Sequence, residues 1–131
     1  MTEHRRLSSP LLRPPPGPWS NAIEVRAGAR TVYSAGIVGA RADGTIEDGV
    51  AAQTTRIFEI ITILLAEAGM RMTDVVKMIT YLVDISDQPA CSAARKPFFD
   101  RCSPAMTLVG VSQLASPAIR VEVEVIAARH D

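Results

Sequence analysis

Near its C-terminal end the chain sets Arg120, Glu122 and Glu124 at every second position, with Val121, Val123 and Val125 between them. Side chains alternate across an extended strand, so the charged three share one face and the valines the other. The two carboxylates are then ~6.6 Å apart along the strand. A carboxylate held in that way can position a water and take its proton. The plainer readings are a solvated face, or ion pairs across an interface, because such a face cannot be hydrophobic core without partners. Other chemistry is sparse. His4 and His130 lie within a few residues of the termini and read as solvated tail residues. Cys91 and Cys102, if both sit on one helix, are roughly 16 Å apart at ~1.5 Å per residue, beyond the ~7 Å reach of a disulfide. Two free thiols in a reducing cytoplasm is the reading that follows. Their spacing matches no zinc motif, so no metal is expected. No phosphate-binding glycine loop, nucleophile elbow, H-E-x-x-H or paired C-x-x-C is present.

The elements that must position these groups belong to one domain, since 131 residues support one core and are too few for two. Hydrophobic residues make up 47% and charged residues 21%, in the range of globular proteins. Lys+Arg and Asp+Glu are equal at 14, which leaves none of the basic surplus that neutralises a phosphate backbone. With only 5% aromatic residues there is also no stacking platform, so no nucleic-acid partner is expected. The longest apolar run, residues 60–66, is broken by Thr62 and falls far short of the ~20 residues that cross a membrane. Arg5-Arg6 is followed by prolines and serines rather than an apolar stretch, so no targeting segment is read.

Five of the nine prolines fall between Pro10 and Pro18, and residues 1–16 read as an irregular lead-in to a domain over 17–131. Residues 22–26 and 31–35 read as strands joined through Ala27-Gly28-Ala29 into a hairpin. Residues 49–68 carry apolar residues at helical spacing (Ile57, Ile61, Leu64, Leu65, Ala68), with Asp48 placed to cap them and Gly69 to end them. A strand over 73–84 follows, then a helix over 89–101 that Pro97 must bend or end. Strands over 106–114 and 118–129 close the chain. The order ββαβαββ predicts an α+β fold with one mixed sheet and two helices on one face. Both parities of the 73–84 strand are largely apolar, whereas two helices cover one face only. The other face is therefore expected to be buried against another subunit.

Set in order, several short pieces resemble the Rid (reactive intermediate deaminase) family, also called YjgF. They are Gly17-Pro18 before an aromatic, Tyr33-Ser34-Ala35-Gly36-Ile37-Val38-Gly39 with Asp43-Gly44, Val50-Ala51-Ala52-Gln53, Ala68-Gly69 and Asp74-Val75-Val76-Lys77. Asp84, Asp87, Phe98-Phe99, Pro104-Ala105 and the run Val121 to Ala127 continue the series, so that the match runs from residue 17 to 128. The resemblance implies a chorismate-mutase-like fold assembled as a homotrimer, with small-molecule ligand clefts between subunits. It implies hydrolysis of reactive 2-imino or enamine acids to 2-keto acids and ammonia, without metal or organic cofactor.

The same resemblance maps a site. Glu122 stands where the family's glutamate places water, and Trp19, Ser34, Gly36, Ile37, Ser92, Met106, Thr107 and Leu108 stand where the ligand is held. Family members carry an arginine directly after Pro-Ala as a bidentate carboxylate clamp, where this chain has Met106. A thioether carries no charge and donates no hydrogen bond. Leu108 replaces a cysteine, Trp19 a tyrosine and Ser92 an asparagine. Arg120, on the Glu122 face, and Arg101, just before the Met106 strand, are the arginines that could stand in for the clamp. The expected function is an arginine-lacking Rid-like protein acting on an imine- or enamine-type metabolite by hydrolysis or tautomerisation. Backbone groups near Gly36 and Met106-Thr107 would polarise that ligand. The alternative is a non-catalytic trimer that binds or sequesters a small apolar ligand. A ribonuclease activity is disfavoured by the balanced charge.

Overall fold

A computed structural model describes residues 4–131, so the first three residues of the expected lead-in lie outside the described residues. Alternation of apolar and charged residues through its first half marks the last strand, β7 (Val121–Arg129), and it is the hub of the sheet. The elements before it are β1 (Arg5–Leu7), β2 (Ala22–Glu24), β3 (Arg30–Tyr33), β4 (Ile37–Val38), helix α1 (Val50–Glu67), β5 (Val75–Leu82), helix α2 (Gln88–Arg95) and β6 (Ala105–Gly110). The sheet runs β3-β7-β5-β6, with β4 also pairing β7. All pairs are antiparallel except β5 with β6, which α2 connects as a crossover between parallel strands.

Both helices pack on one face of this sheet, as the α+β reading requires. Ile57, Phe58, Ile61 and Leu65 of α1 meet Met78 and Leu82 of β5 and Val121, Val123, Val125 and Ala127 of β7. Each such side chain, fully removed from water, contributes about 1.5–3 kcal/mol. Leu64, expected in this stripe, is 43% exposed, and Phe58 takes its place. The cap of α1 is Gly49 at φ 87°, with no side-chain bond to the first turn, so Asp48 does not cap it. The other end closes as read: Gly69 adopts φ 68°, while its N–H and that of Met70 bond to the carbonyls of Ala66 and Leu65.

Three further expectations are corrected. The 22–26 and 31–35 segments form no hairpin: β2 pairs with β1, from within the proline-rich lead-in, while β3 pairs with β7. The second helix stops at Arg95, and Pro97 sits in a 3-10 turn (Lys96–Phe98), because its ring excludes a helical hydrogen bond. Cys102 therefore lies beyond the helix that holds Cys91, and both are buried free thiols. The 73–84 strand begins at Val75, after a 3-10 turn (Met72–Asp74), and a register shift between Val75 and Lys77 breaks its parity. Val75 thus pairs with Ala127 and joins the core, while Lys77, Ile79 and Tyr81 point away from the helices.

Candidate functional site

That outward face is not covered by either helix. Cross-strand register puts Glu122 between Val38 of β4 and Tyr81 of β5, and Glu124 opposite Ile79. The two carboxylates share a face, as their spacing predicts, and then diverge. The Tyr81 hydroxyl donates to Glu124 Oε1. That bond, with desolvation and the charges of Glu124 and Glu122, holds the phenol above its ordinary pKa. Glu122, half-buried, has no hydrogen-bond partner among the described residues.

The segment before β4 shapes the space around Glu122. Ser34 N–H donates to Val125 O at 3.0 Å. The Ser34 hydroxyl accepts from Val125 N–H at 2.9 Å and donates to Ala35 O at 2.8 Å. These bonds hold residues 34–36 along β7, so that Gly36 lies directly on the Glu122 carboxylate; any side chain there would collide with Oε2. Ser34 is thus a positioning residue whose hydroxyl is already engaged. Ile37 pairs with Val123 and packs against the core. The opening of β7 is pinned by buried Gln53, whose amide donates to the carbonyls of Glu47 and Ala118 and accepts from Arg120 N–H.

A second group lines the edge strand β6. Met106 and Leu108 stand opposite Met78 and Thr80, on the helix side, and pack against the core. Thr107 faces the open side, where Lys77 Nζ donates to its hydroxyl at 2.9 Å. Trp19 folds over Gly17 beside this strand, and its neighbour Ser20 bridges Ala105 and donates its N–H to Pro104 O. In a single chain, then, Glu122 and the Met106–Leu108 pair lie on opposite faces of the sheet, with β5 between their strands. Ser92 accepts from Gln88 along the exposed part of α2 and meets neither group.

Neither arginine considered as a substitute for a clamp bonds the Glu122 carboxylate among the described residues. Arg120 precedes β7, and its guanidinium bonds Asp87 Oδ2 at 2.8 Å, which holds its pKa above the ordinary value. Arg101 lines a different cleft, beside the β1–β2 ribbon. Tyr81 was not singled out from sequence, since only the register of β5 on β7 brings it to the carboxylates. Among the described residues, no three His, Cys, Asp or Glu side chains gather to hold a metal, and no helix is long and apolar enough to cross a membrane.

Comparison with known proteins places this fold. The model of a family described as Endoribonuclease L-PSP matches residues 11–129. A 2-iminobutanoate/2-iminopropanoate deaminase of Dermatophagoides farinae is 33% identical over 128 residues, covering 96% of this chain and 97% of that one. A RutC family protein of Aquifex aeolicus is 30% identical, covering 95% and 99%. Among solved structures, the conserved Rid family protein YyfB of Yersinia pestis superposes with a TM-score of 0.85 at 28% identity, covering 98% of this chain and all of that one.

Proposed function

We propose, from the premise that the chain belongs to the endoribonuclease L-PSP family, also known as Rid or YjgF, that it works as a homotrimer whose subunit interfaces carry the site. Two features support the trimer: the sheet face left bare by both helices, and the split of the mapped site residues between two faces of one chain. A neighbouring subunit's β6 edge brought against the Glu122 face would unite the two groups in one cleft.

The reaction is hydrolysis of a small imine, or of an enamine through its imine tautomer, to a carbonyl compound and ammonia. Glu122 accepts a proton from the attacking water as its oxygen bonds the imine carbon. Glu122 passes that proton to the nitrogen, which completes a neutral carbinolamine; the carbinolamine hydroxyl then gives its proton to Glu122 as the carbonyl forms, and Glu122 hands it to the nitrogen as the C–N bond breaks and ammonia leaves. The carrying observation is the Glu122 carboxylate itself, unpartnered and half-buried against Gly36, while its neighbour Glu124 is occupied by Tyr81. Met106 and Leu108 give the cleft an apolar wall, so the preferred substrate carries less negative charge than a 2-imino acid. No metal or organic cofactor takes part.

The test pairs light scattering with an imine-decay assay over a panel of neutral and anionic imines. The expected result is a mass three times 14.1 kDa and turnover that Glu122→Gln removes. A monomer at micromolar concentration overturns the interfacial site. Ligand binding that survives Glu122→Gln, with no turnover in either protein, identifies a binding trimer instead.

A further inference from the structure

Resting on the imine hydrolysis proposed above, we infer that the substrate of the Glu122 site is a cation, the protonated imine of an amine that bears no carboxylate. Charge on the uncovered sheet face points to it. Among the described residues, the paired strands place three charged side chains there: Glu122 and Glu124 of β7 and Lys77 of β5. The phenols of Tyr81, opposite Glu122, and Tyr33, opposite Ile126, add none. Each chain thus presents one net negative charge, which a single iminium balances.

The chain's own cations are placed or matched elsewhere. Lys77 pairs with Ile126 and Ala105, at the other end of the face from Glu122 and Tyr81, and its ammonium donates to Thr107 at 2.9 Å. Arg120, two residues before Glu122, bonds Asp87 at 2.8 Å, and the charge of Asp84 bears on it as well. The strand that the proposed interface brings against Glu122, β6 (Ala105–Gly110), has no charged residue. Its Met106 and Leu108 side chains donate nothing to an anion. Both glutamates are half-buried, where the dielectric is lower than in water and an unmatched negative charge draws a cation more strongly. A 2-imino acid would set its carboxylate against a face already negative.

An iminium is also the more reactive form. Water bonds to its carbon as Glu122 takes one water proton and the C=N electrons pass to nitrogen, giving a neutral carbinolamine directly. Glu122 returns that proton to the nitrogen. The carbinolamine hydroxyl then gives its proton to Glu122 as the C–N bond breaks, and ammonia takes that proton away as ammonium. One cation enters, one leaves, and Glu122 ends as the carboxylate. Such an iminium arises when a protonated amine is oxidised by two electrons, losing a hydride to the oxidising enzyme's acceptor and a proton to water. Elimination from an amino acid leaves the carboxylate in place. An amine-oxidising step therefore supplies this substrate.

The test follows hydrolysis of two imines that share one side chain: that of isopentylamine, formed by an amine oxidase, and that of leucine, formed by an amino-acid oxidase. Loss of rapid semicarbazone formation reads each reaction. The unmodified protein is expected to favour the isopentylamine imine in kcat/KM by at least about tenfold. Added salt should lower that value and raise the one for the leucine imine. Glu124→Gln keeps an acceptor for the Tyr81 hydroxyl and removes one charge. With it, kcat/KM for the cation should fall about fivefold, through KM rather than kcat. Lys77→Met should raise it. An equal or higher kcat/KM for the leucine imine overturns the cation assignment while hydrolysis at Glu122 stands. Turnover of neither imine, or turnover that survives Glu122→Gln, overturns that hydrolysis and the assignment with it.

Discussion

The two faces of β7 were built to different requirements. Toward the helices, Val121, Val123 and Ala127 are fully buried and Val125 nearly so, in an apolar layer that also takes in Arg95, buried over the Phe99 ring. Away from them, Glu122, Glu124 and Ile126 are half-buried, and of the two carboxylates only Glu124 has a side-chain hydrogen bond among the described residues. The covered face is complete in one chain and its residues are explained by packing. The open face leaves the Glu122 carboxylate without a side-chain bond among the described residues, and the proposed trimer and its ligand would cover it.

The largest expected contrast tests that division in stability. Phe58, fully buried and within 5.8 Å of both the Phe98 and Phe99 ring centroids, anchors the covered face. Phe58→Ala is expected to cost about 3–5 kcal/mol in denaturant unfolding, through lost transfer energy and the cavity left behind. Glu122→Gln keeps the shape and breaks no bond, so its stability should stay within ~0.5 kcal/mol of the parent. A large stability loss in Glu122→Gln would show that the open face, too, is held by packing.

This division also marks what could be read from residues alone. The valine alternation of β7, the α1 stripe and the Gly69 stop are local patterns, and each was legible. Pairing partners are not local: Ala22–Glu24 looks the same whether it joins Arg30–Tyr33 or Arg5–Leu7, so the expected hairpin was misassigned. The site followed the same rule. That Glu122 and Glu124 share a face follows from parity, but that Tyr81 takes Glu124 and Asp87 takes Arg120 depends on register and on loop path.

Met106 sits at the boundary, on the edge strand with its side chain toward the covered layer. If action on 2-imino acids needs an arginine clamp at this position, an arginine there is worth about 3 kcal/mol, roughly a hundredfold in rate. The unmodified protein should then hydrolyse 2-iminobutanoate poorly, and Met106→Arg should raise the rate toward that ceiling in a coupled dehydratase assay. Met106 is half-buried rather than enclosed, so a long side chain can carry its charged end out past the strand. Rapid hydrolysis by the unmodified protein would mean that the carboxylate is held without an arginine at this position.

Gln53 joins the two faces, since it lies in the covered layer yet fixes the backbone that leads into Glu122. Gln53→Leu leaves two carbonyls and the Arg120 N–H unpaired. The expected loss is about 2–3 kcal/mol, read from urea unfolding. Turnover measured well below the unfolding midpoint should fall as well, because the start of β7 is no longer held. Unchanged turnover in the folded variant would separate the pin from the site.

The smallest effect probes how dry the covered face is. Burial pushes the Cys102 thiol up to about 11, with Asp100 adding to the shift, and burial raises Cys91 too. At neutral pH a thiol at that value holds about a hundredfold less thiolate than one near 9. Native protein should therefore resist iodoacetamide at pH 7.5 and react at both sites only once unfolded. Because the folded state retains the Cys102 proton at pH values where the unfolded chain has lost it, stability should decline as pH rises from about 9 to about 11. Below that window the thiol contributes no pH dependence. Mass spectrometry after timed alkylation reads the first effect, and urea midpoints across the alkaline range read the second. Rapid alkylation of either thiol in the folded protein would mean that water reaches the layer beneath the helices, and the contrast between the two faces of β7 would narrow to one of degree.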